Sequence, residues 1–409
     1  MRRALLPVVV VALGAAAAVA VQRIGEMRNV HGSPSIEFTP TTEPEPPARA
    51  PLPWPMFGRD PARTARSGGA RPPFRRLWVA GGSTLIEFPP AVAYGRLYYA
   101  DGGGRVYAIS AATGARAWRY DARRGSAASP AVGPQSHGTV YAAFLNRFPS
   151  HGKDQHDGAV VALAAGTGLV RWLAHVGASE TSPLLVHGRV YVGGWDGVVY
   201  ALDARTGERL WTYATHGPVK GGLAAAYGVV FAGSYDGYLY ALAATTGRLV
   251  WRASVQPGFF GRGTFYATPV VAYGRVYVGS TDRRMYSFGA RSGRLRWSHR
   301  TGGYVYGSAA VWNGFVLVGS YDHHLYAFDA ATGDVRWRFD AGGPISGSTT
   351  VIDGVAYFAT LRGRTFALVA GTGRLLWSTN QGRYAPAVSD GSRIFLVGYG
   401  SVRGFRARR

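Results

Sequence analysis

Residues 233–251 read GSYDGYLYALAATTGRLVW, and residues 319–337 read GSYDHHLYAFDAATGDVRW. A chain that writes nearly the same stretch twice builds its fold from a repeated unit, and no other feature constrains it as much. A glycine followed four residues later by tryptophan marks each copy: Gly114/Trp118, Gly168/Trp172, Gly207/Trp211, Gly247/Trp251, Gly293/Trp297, Gly333/Trp337 and Gly373/Trp377. Six of these glycines follow threonine and one follows Ser292. Most tryptophan-to-tryptophan steps are 39 or 40 residues; the step from 118 to 172 is 54 and that from 251 to 297 is 46. Trp78, in FRRLWVAGG, has the strand end without the preceding unit.

Every unit parses alike. In the third copy, SPLLVHG (182–188) is a short first strand, RVYVGG (189–194) a second, VVYALDA (198–204) a third and RTGERLWTY (205–213) the closing one. Aromatic and β-branched residues alternate with small ones, as strands require. The Asp-Gly of WDG (195–197) predicts a two-residue hairpin tip with both residues at positive φ. Each unit is therefore a four-stranded antiparallel sheet that buries both faces only between neighbours. The last unit, YAPAVSDGSRIFLVGYGSVRGFRARR, has three strands and no tryptophan. The strand around Trp78 supplies the missing one from the other end of the domain. The expected fold is thus all-β: an eight-bladed β-propeller of four-stranded antiparallel blades, its last blade closed by the N-terminal strand. Such closure leaves no exposed sheet edge.

Composition agrees. Charged residues are 16%, aromatics 13%, and there are 58 glycines, which suits a packed β protein. The absence of cysteine excludes disulfides, thiolate metal sites, cysteine nucleophiles and a lipidated cysteine. The net charge is +23, nearly all of it arginine, since Lys153 and Lys220 are the only lysines. Such a charge favours anionic partners. No nucleic-acid motif accompanies it, so nucleic acid is not an expected partner.

Residues 4–21, ALLPVVVVALGAAAAVAV, follow Arg2 and Arg3 and have the form of an export signal. Their length approaches the roughly 20 residues that span a bilayer, so residues 1–22 are expected to be a signal anchor, with cleavage after Ala18–Ala20 as the alternative. The arginines favour an inside N-terminus, which places the remainder outside the cytoplasm, membrane-anchored or, after cleavage, secreted. Residues 23–53 contain the Pro-rich run TPTTEPEPPARAPLP and are expected to form a disordered spacer. Residues 54–409 form the propeller, expected to be monomeric.

Two insertions lie on one face. Residues 144–158 lengthen a tip hairpin, and residues 255–266 lengthen a connection between blades. Function concentrates on loops carried by a rigid scaffold, so this is the expected working face. The first insertion gathers His151, Asp154, His156 and Asp157, candidate ligands for a divalent metal. In the second, Phe259, Phe260 and Phe265 either tuck the loop down or form a contact patch. The residues three before each first strand converge on the channel mouth: Glu87, Ala127, Glu180, Lys220, Tyr266, Tyr306, Ser346 and Arg383. All but Ala127 are candidate axial ligand-binding residues. The tip aromatics Trp195, Tyr235 and Tyr321 are expected to pack between blades. The tryptophans Trp78, Trp118, Trp172, Trp211, Trp251, Trp297, Trp337 and Trp377 are expected to be structural. No nucleophile–base pair, phosphate loop or paired-carboxylate motif stands out.

The pattern GS-x-DG-x-LYALDA-x-TG-x-x-x-W resembles the repeat of the PQQ-like, or quinoprotein-type, β-propeller superfamily, over residues 54–409. In that superfamily the tryptophan docks one blade on the next. WPMFGRDPARTARS (54–67) is similar to its lead-in segment. The resemblance implies one of two functions. Dehydrogenases of this kind hold pyrroloquinoline quinone and Ca²⁺ on the axis; other members are cofactor-free scaffolds. This chain lacks the dehydrogenases' adjacent cysteines and their long excursions, and lacks the lipidated cysteine of the outer-membrane assembly scaffold. The reading favoured is an exported, membrane-tethered, non-enzymatic binding or scaffold module of the cell envelope, with an envelope protein or anionic envelope polymer as partner. The alternative is a quinoprotein oxidoreductase using Glu87, Glu180, Lys220 and Arg383 around the quinone.

Overall fold

The computed structural model describes residues 29–40, 52–81, 84–134, 138–147, 154–255 and 263–408. These residues form eight antiparallel sheets and no helix, one sheet per repeat. Blade 1 has strands Ala91–Ala93, Arg96–Ala100, Arg105–Ser110 and Arg116–Asp121, ordered from axis to rim. Blades 2 to 7 repeat this order. Blade 8 takes Val388–Ser389, Arg393–Val397 and Ser401–Ala407 from the C-terminus and Phe74–Gly81 from the other end of the ring. The eight-bladed, N-terminally closed propeller expected from the repeats is the observed fold.

The outer strand of every blade carries the same bulge. Ala201 pairs with Trp211, whereas Leu202 pairs with Arg209, which leaves Leu210 unpaired and 43% exposed. The extra residue turns the tryptophan out of its own sheet. In seven of eight cases the indole then donates to an alanine carbonyl of the next blade, from Trp118 to Ala165 at 2.9 Å through Trp337 to Ala370 at 3.1 Å. Trp78 closes the ring by donating to Ala111 of blade 1 at 3.3 Å. The motif glycine explains itself here. At Gly207, φ is +78°, and a Cβ would stand 2.7 Å from the Trp172 ring. Trp377 faces the blade that lacks a Thr-Gly turn, and it packs edge-on against Phe74 and Phe405.

The turns differ from expectation. Two residues with positive φ occur together in the hairpin between first and second strands, as at His187-Gly188, Tyr227-Gly228, Tyr273-Gly274 and Asn313-Gly314. That is the type I′ geometry. At the Asp-Gly tips, four residues separate Gly193 from Val198, and of these only Gly197 has positive φ. The Asp196 carboxylate holds this tip instead, accepting from the Val198 N–H at 3.1 Å and the Tyr200 hydroxyl at 2.5 Å.

The lead-in segment closes the channel. Residues 54–67 wind inside the ring and bond to the inner strands of successive blades. Val132 N–H donates to Pro55 O, Ala225 to Pro61, Val271 to Ala62, Val311 to Thr64 and Val351 to Ala65. Arg66–Ser67 ends as a short strand parallel to Thr350–Ile352 of blade 7. Arg63 is buried, and its guanidinium donates to the carbonyls of Leu223, Ser182, Pro183 and Phe57. Burial pushes its pKa down to about 9, so it is still charged at neutral pH.

Residues 29–40, inside the stretch expected to be a spacer, lie against blades 5 and 6. Val30 bridges Ser298, and Arg275 donates to the carbonyls of Ser33 and Ile36 at 2.7 and 2.8 Å. Residues 41–51, with most of the Pro-rich run, and residues 1–28, with the apolar segment, lie outside the described residues. Among the described residues no helix is long and apolar enough to cross a membrane.

Candidate functional site: the axial cavity

Phe57 of the lead-in caps the channel from within and leaves a cavity on the face that carries the Asp-Gly tips, with an empty volume of about 670 Å³ including open solvent. Its lower wall is a collar of hydroxyls that link neighbouring blades. Ser182 accepts from the Ser129 N–H, Thr268 from Gly222, Ser308 from Thr268 and Ser348 from Ser308, at 3.0 to 3.1 Å. Small residues recur at this level because eight strands crowd the axis, and each hydroxyl satisfies a backbone donor that would otherwise be buried unpaired.

Above the collar the structure brings together Glu87, Glu180, Lys220, Tyr266, Tyr306 and Ser346. Arg383 is the exception. It turns outward over the rings of Tyr384 and Tyr399 at 4.9 and 5.7 Å, and Tyr384 takes its place on the axis. The expectation for Arg383 came from register alone. Register places the backbone, but the aromatic neighbours direct the side chain.

Lys220 is already engaged. Its ammonium lies 3.7 Å from Glu180 Oε1, 4.1 Å from the Trp195 ring centroid and 5.2 Å from that of Tyr235. Burial raises the Glu180 carboxyl above its usual range, Lys220 pulls it back, and Glu87 adds to the rise. The Glu87 carboxyl is raised by burial as well, although the residue reaches solvent. The aromatic side chains continue from there as an arc. Tyr235 meets Tyr266 at 6.2 Å, Tyr266 meets Tyr306 at 5.3 Å, and Tyr306 meets Tyr321 at 5.0 Å. The Tyr321 hydroxyl reaches Ser346 Oγ at 3.2 Å. Trp195, Tyr235 and Tyr321 stand behind this lining and pack the tips of blades 3, 4 and 6 against Lys220, Tyr266 and Ser346 of the following connections, the packing between blades expected of them. All three share one place, the residue before the tip aspartate.

The side chains of this lining offer little positive charge of their own to pyrroloquinoline quinone, a planar tricarboxylate. The axis presents two carboxylates and one ammonium, and that ammonium is paired. A polyanion alone would meet repulsion here; with Ca²⁺, Glu87 and Glu180 are the side chains that would hold the ion.

The other candidates lie apart. Asp157 is held by Arg124 at 3.0 Å and by the Arg147 N–H at 3.2 Å. Burial alone would raise its carboxyl, but these donors outweigh burial and leave it below the usual range. Asp154 accepts from the His156 N–H, and the exposed His156 ring stands 3.8 Å from Asp196. His151 lies outside the described residues. Among the described residues no three His, Asp or Glu side chains come together as an ion site. Phe265 is fully buried against Gly233, where the other blades place Val219, Val305 or Ile345. Phe259 and Phe260 lie outside the described residues.

The family model described as outer membrane protein assembly factor BamB, PQQ_2, matches residues 75–194, 153–225, 195–310 and 301–406. The serine/threonine-protein kinase AfsK of Streptomyces griseus is 31% identical over 154 residues, which is 34% of this chain and 18% of the kinase. BamB of Burkholderia pseudomallei (strain K96243) is 32% identical over 142 residues, 34% of this chain and 33% of that protein. Each match therefore spans a third or less of the relative. The quinohemoprotein alcohol dehydrogenase of Comamonas testosteroni superposes with a TM-score of 0.73 at 16% identity, over 88% of this chain and 81% of that one, which shows the shared fold alone. The chain belongs to the PQQ_2, BamB-type family of PQQ-like β-propellers.

Proposed function

We propose that this chain is an exported, membrane-tethered, non-enzymatic binding module of the cell envelope, and that its working face, centred on the axial cavity, receives an envelope protein. One observation carries the reading: among the described residues, the one ammonium lining the axial cavity is paired with Glu180 and held between Trp195 and Tyr235. What remains open to a ligand is an arc of tyrosines facing the carboxylate of Glu87. That combination suits the aromatic, apolar or cationic side chains of a protein segment. The plugged channel gives the cavity a floor, so a partner docks on it and does not thread it. Family membership supports the same reading, because the matched family is described as an assembly factor. The apolar segment at 4–21 and the Pro-rich run supply the tether.

The test is site-specific photocrosslinking in envelope membranes from probes at Tyr304 and Tyr306, with Arg205 and Arg248 on the opposite face as controls. The reading expects one set of envelope-protein adducts from the tyrosine positions alone. The same adducts from both faces, or none from the tyrosine positions, would contradict it.

A further inference from the structure

The tips of the blades do not carry the same charge around the ring. In blades 3, 4, 5 and 6 an aspartate (196, 236, 282, 322) accepts from a tyrosine hydroxyl four residues on. In blades 4 and 6 it also accepts a backbone N–H from the preceding connection, at His216 and Gly302. Blade 7 writes Arg362 and Phe366 in those two places. The polarity reverses with the residue: Arg362 Nη1 donates to the Gly342 carbonyl at 2.8 Å. Blade 8 has a shorter tip with no acid, and Arg403 occupies the register position of the tyrosine.

Between these two tips lies a recess with an empty volume of about 1030 Å³, open solvent included, on the same face as the axial cavity. Arg362, Arg364, Arg383 and Arg403 line it, with Asn380 and Gln381 between them. Among the described residues none of the four forms an ion pair with a carboxylate; their partners are the Gly342 and Gln381 carbonyls, the Ser378 hydroxyl and aromatic rings. The Nε atoms of Arg383 and Arg403 are buried without any hydrogen-bond partner. A buried unpaired donor on a cation is costly, and an oxyanion is the group that satisfies it.

We propose that this recess binds a phosphate group. Four guanidiniums without a counter-charge call for more than a single carboxylate supplies. A phosphate ester or diphosphate brings up to about two negative charges and oxygens that match the planar guanidinium fork. The group reaches the site either on a soluble phosphate compound or as a lipid headgroup.

The purified full-length chain is titrated with inorganic pyrophosphate, and separately with phosphatidylglycerol vesicles against phosphatidylcholine vesicles. Wild type, Arg362→Gln/Arg383→Gln and the exposed distant variant Arg205→Gln are compared, with thermal melting as the folding check. Arg362→Gln alone, at an exposed position, serves if the double variant does not fold. Pyrophosphate binding that falls at least about tenfold in the recess variant and is unchanged in Arg205→Gln is the expected result. Vesicle binding with the same arginine dependence, without pyrophosphate binding, assigns the phosphate to a lipid headgroup. Equal losses in the recess and distant variants, or no binding of either probe, would overturn the proposal and leave only the diffuse charge of the chain.

Discussion

The ammonium of Lys220 stands 3.7 Å from Glu180 Oε1 and 4.1 Å from the centroid of the Trp195 ring. The three residues tie the connection into blade 4 to the tip of blade 3 and to the connection that leads into blade 3, and they engage, inside the protein, the one ammonium among the described residues that line the axial cavity. Replacing Lys220 by Met leaves Glu180 buried without its counter-charge, so its carboxyl rises further. A carboxyl raised in the folded state favours folding below its unfolded pKa and costs stability as pH rises through the folded one. Lys220→Met should therefore lose stability relative to wild type as pH rises above about 4.5. Urea denaturation at a series of pH values measures this, and parallel profiles would contradict it.

Arg63 fastens the plug. Arg63→Met keeps the side-chain volume but strands four buried carbonyls, with an expected loss of about 3–5 kcal/mol. Chemical denaturation reads the loss. A change below about 1 kcal/mol would show that the lead-in is held by its backbone bonds alone.

The docking tryptophans should not be equivalent. Trp118 donates to Ala165 at 2.9 Å, whereas the Trp377 indole has no acceptor among the described residues. Substitution by Phe should cost about 1 kcal/mol more at Trp118 than at Trp377. Melting of the two variants side by side decides it.

His323 holds φ at +77° in the place where blades 3 and 4 have glycine. His323→Gly relieves a left-handed conformation worth about 1 kcal/mol and should raise the melting temperature by about 1–2 °C. An unchanged or lower value would show that the His323 side chain repays its own strain.

Glu37 anchors residues 29–40 through Ser292 and Arg296. Burial opposes its charge, but these partners outweigh burial and lower its carboxyl pKa. The anchoring is complete above the unfolded value near 4.5 and fades as pH falls through the lower, folded one. Amide protection factors at Val30 and Gly32, corrected for the intrinsic pH dependence of exchange, should fall over that window, and Glu37→Gln should remove their pH dependence.

The fold was legible because its units are local. Gly207 and Trp211 sit four residues apart and report the same docking event in every copy, so counting them counted the blades. The axial ring was legible to the extent that register fixes position, which located Glu87, Glu180, Lys220, Tyr266, Tyr306 and Ser346. Side-chain direction was not legible: Arg383 has the same register but leaves the axis for two tyrosine rings. The plug was hidden for a different reason. Residues 54–67 have no periodicity, since each bonds to a different blade. The Asp-Gly tip departs from the two-residue turn because the aspartate side chain holds it, while the two-residue turn falls between first and second strands, at pairs such as His187-Gly188.

The most direct test of the account is a titration of the protein with pyrroloquinoline quinone, with and without Ca²⁺, following tryptophan fluorescence; Trp195, packed behind Lys220 of the cavity lining, is the reporter. The account predicts no saturable quenching at tens of micromolar quinone in either condition. Tight, Ca²⁺-dependent quenching that is lost in Glu180→Ala would contradict it and make the axial cavity a quinone site.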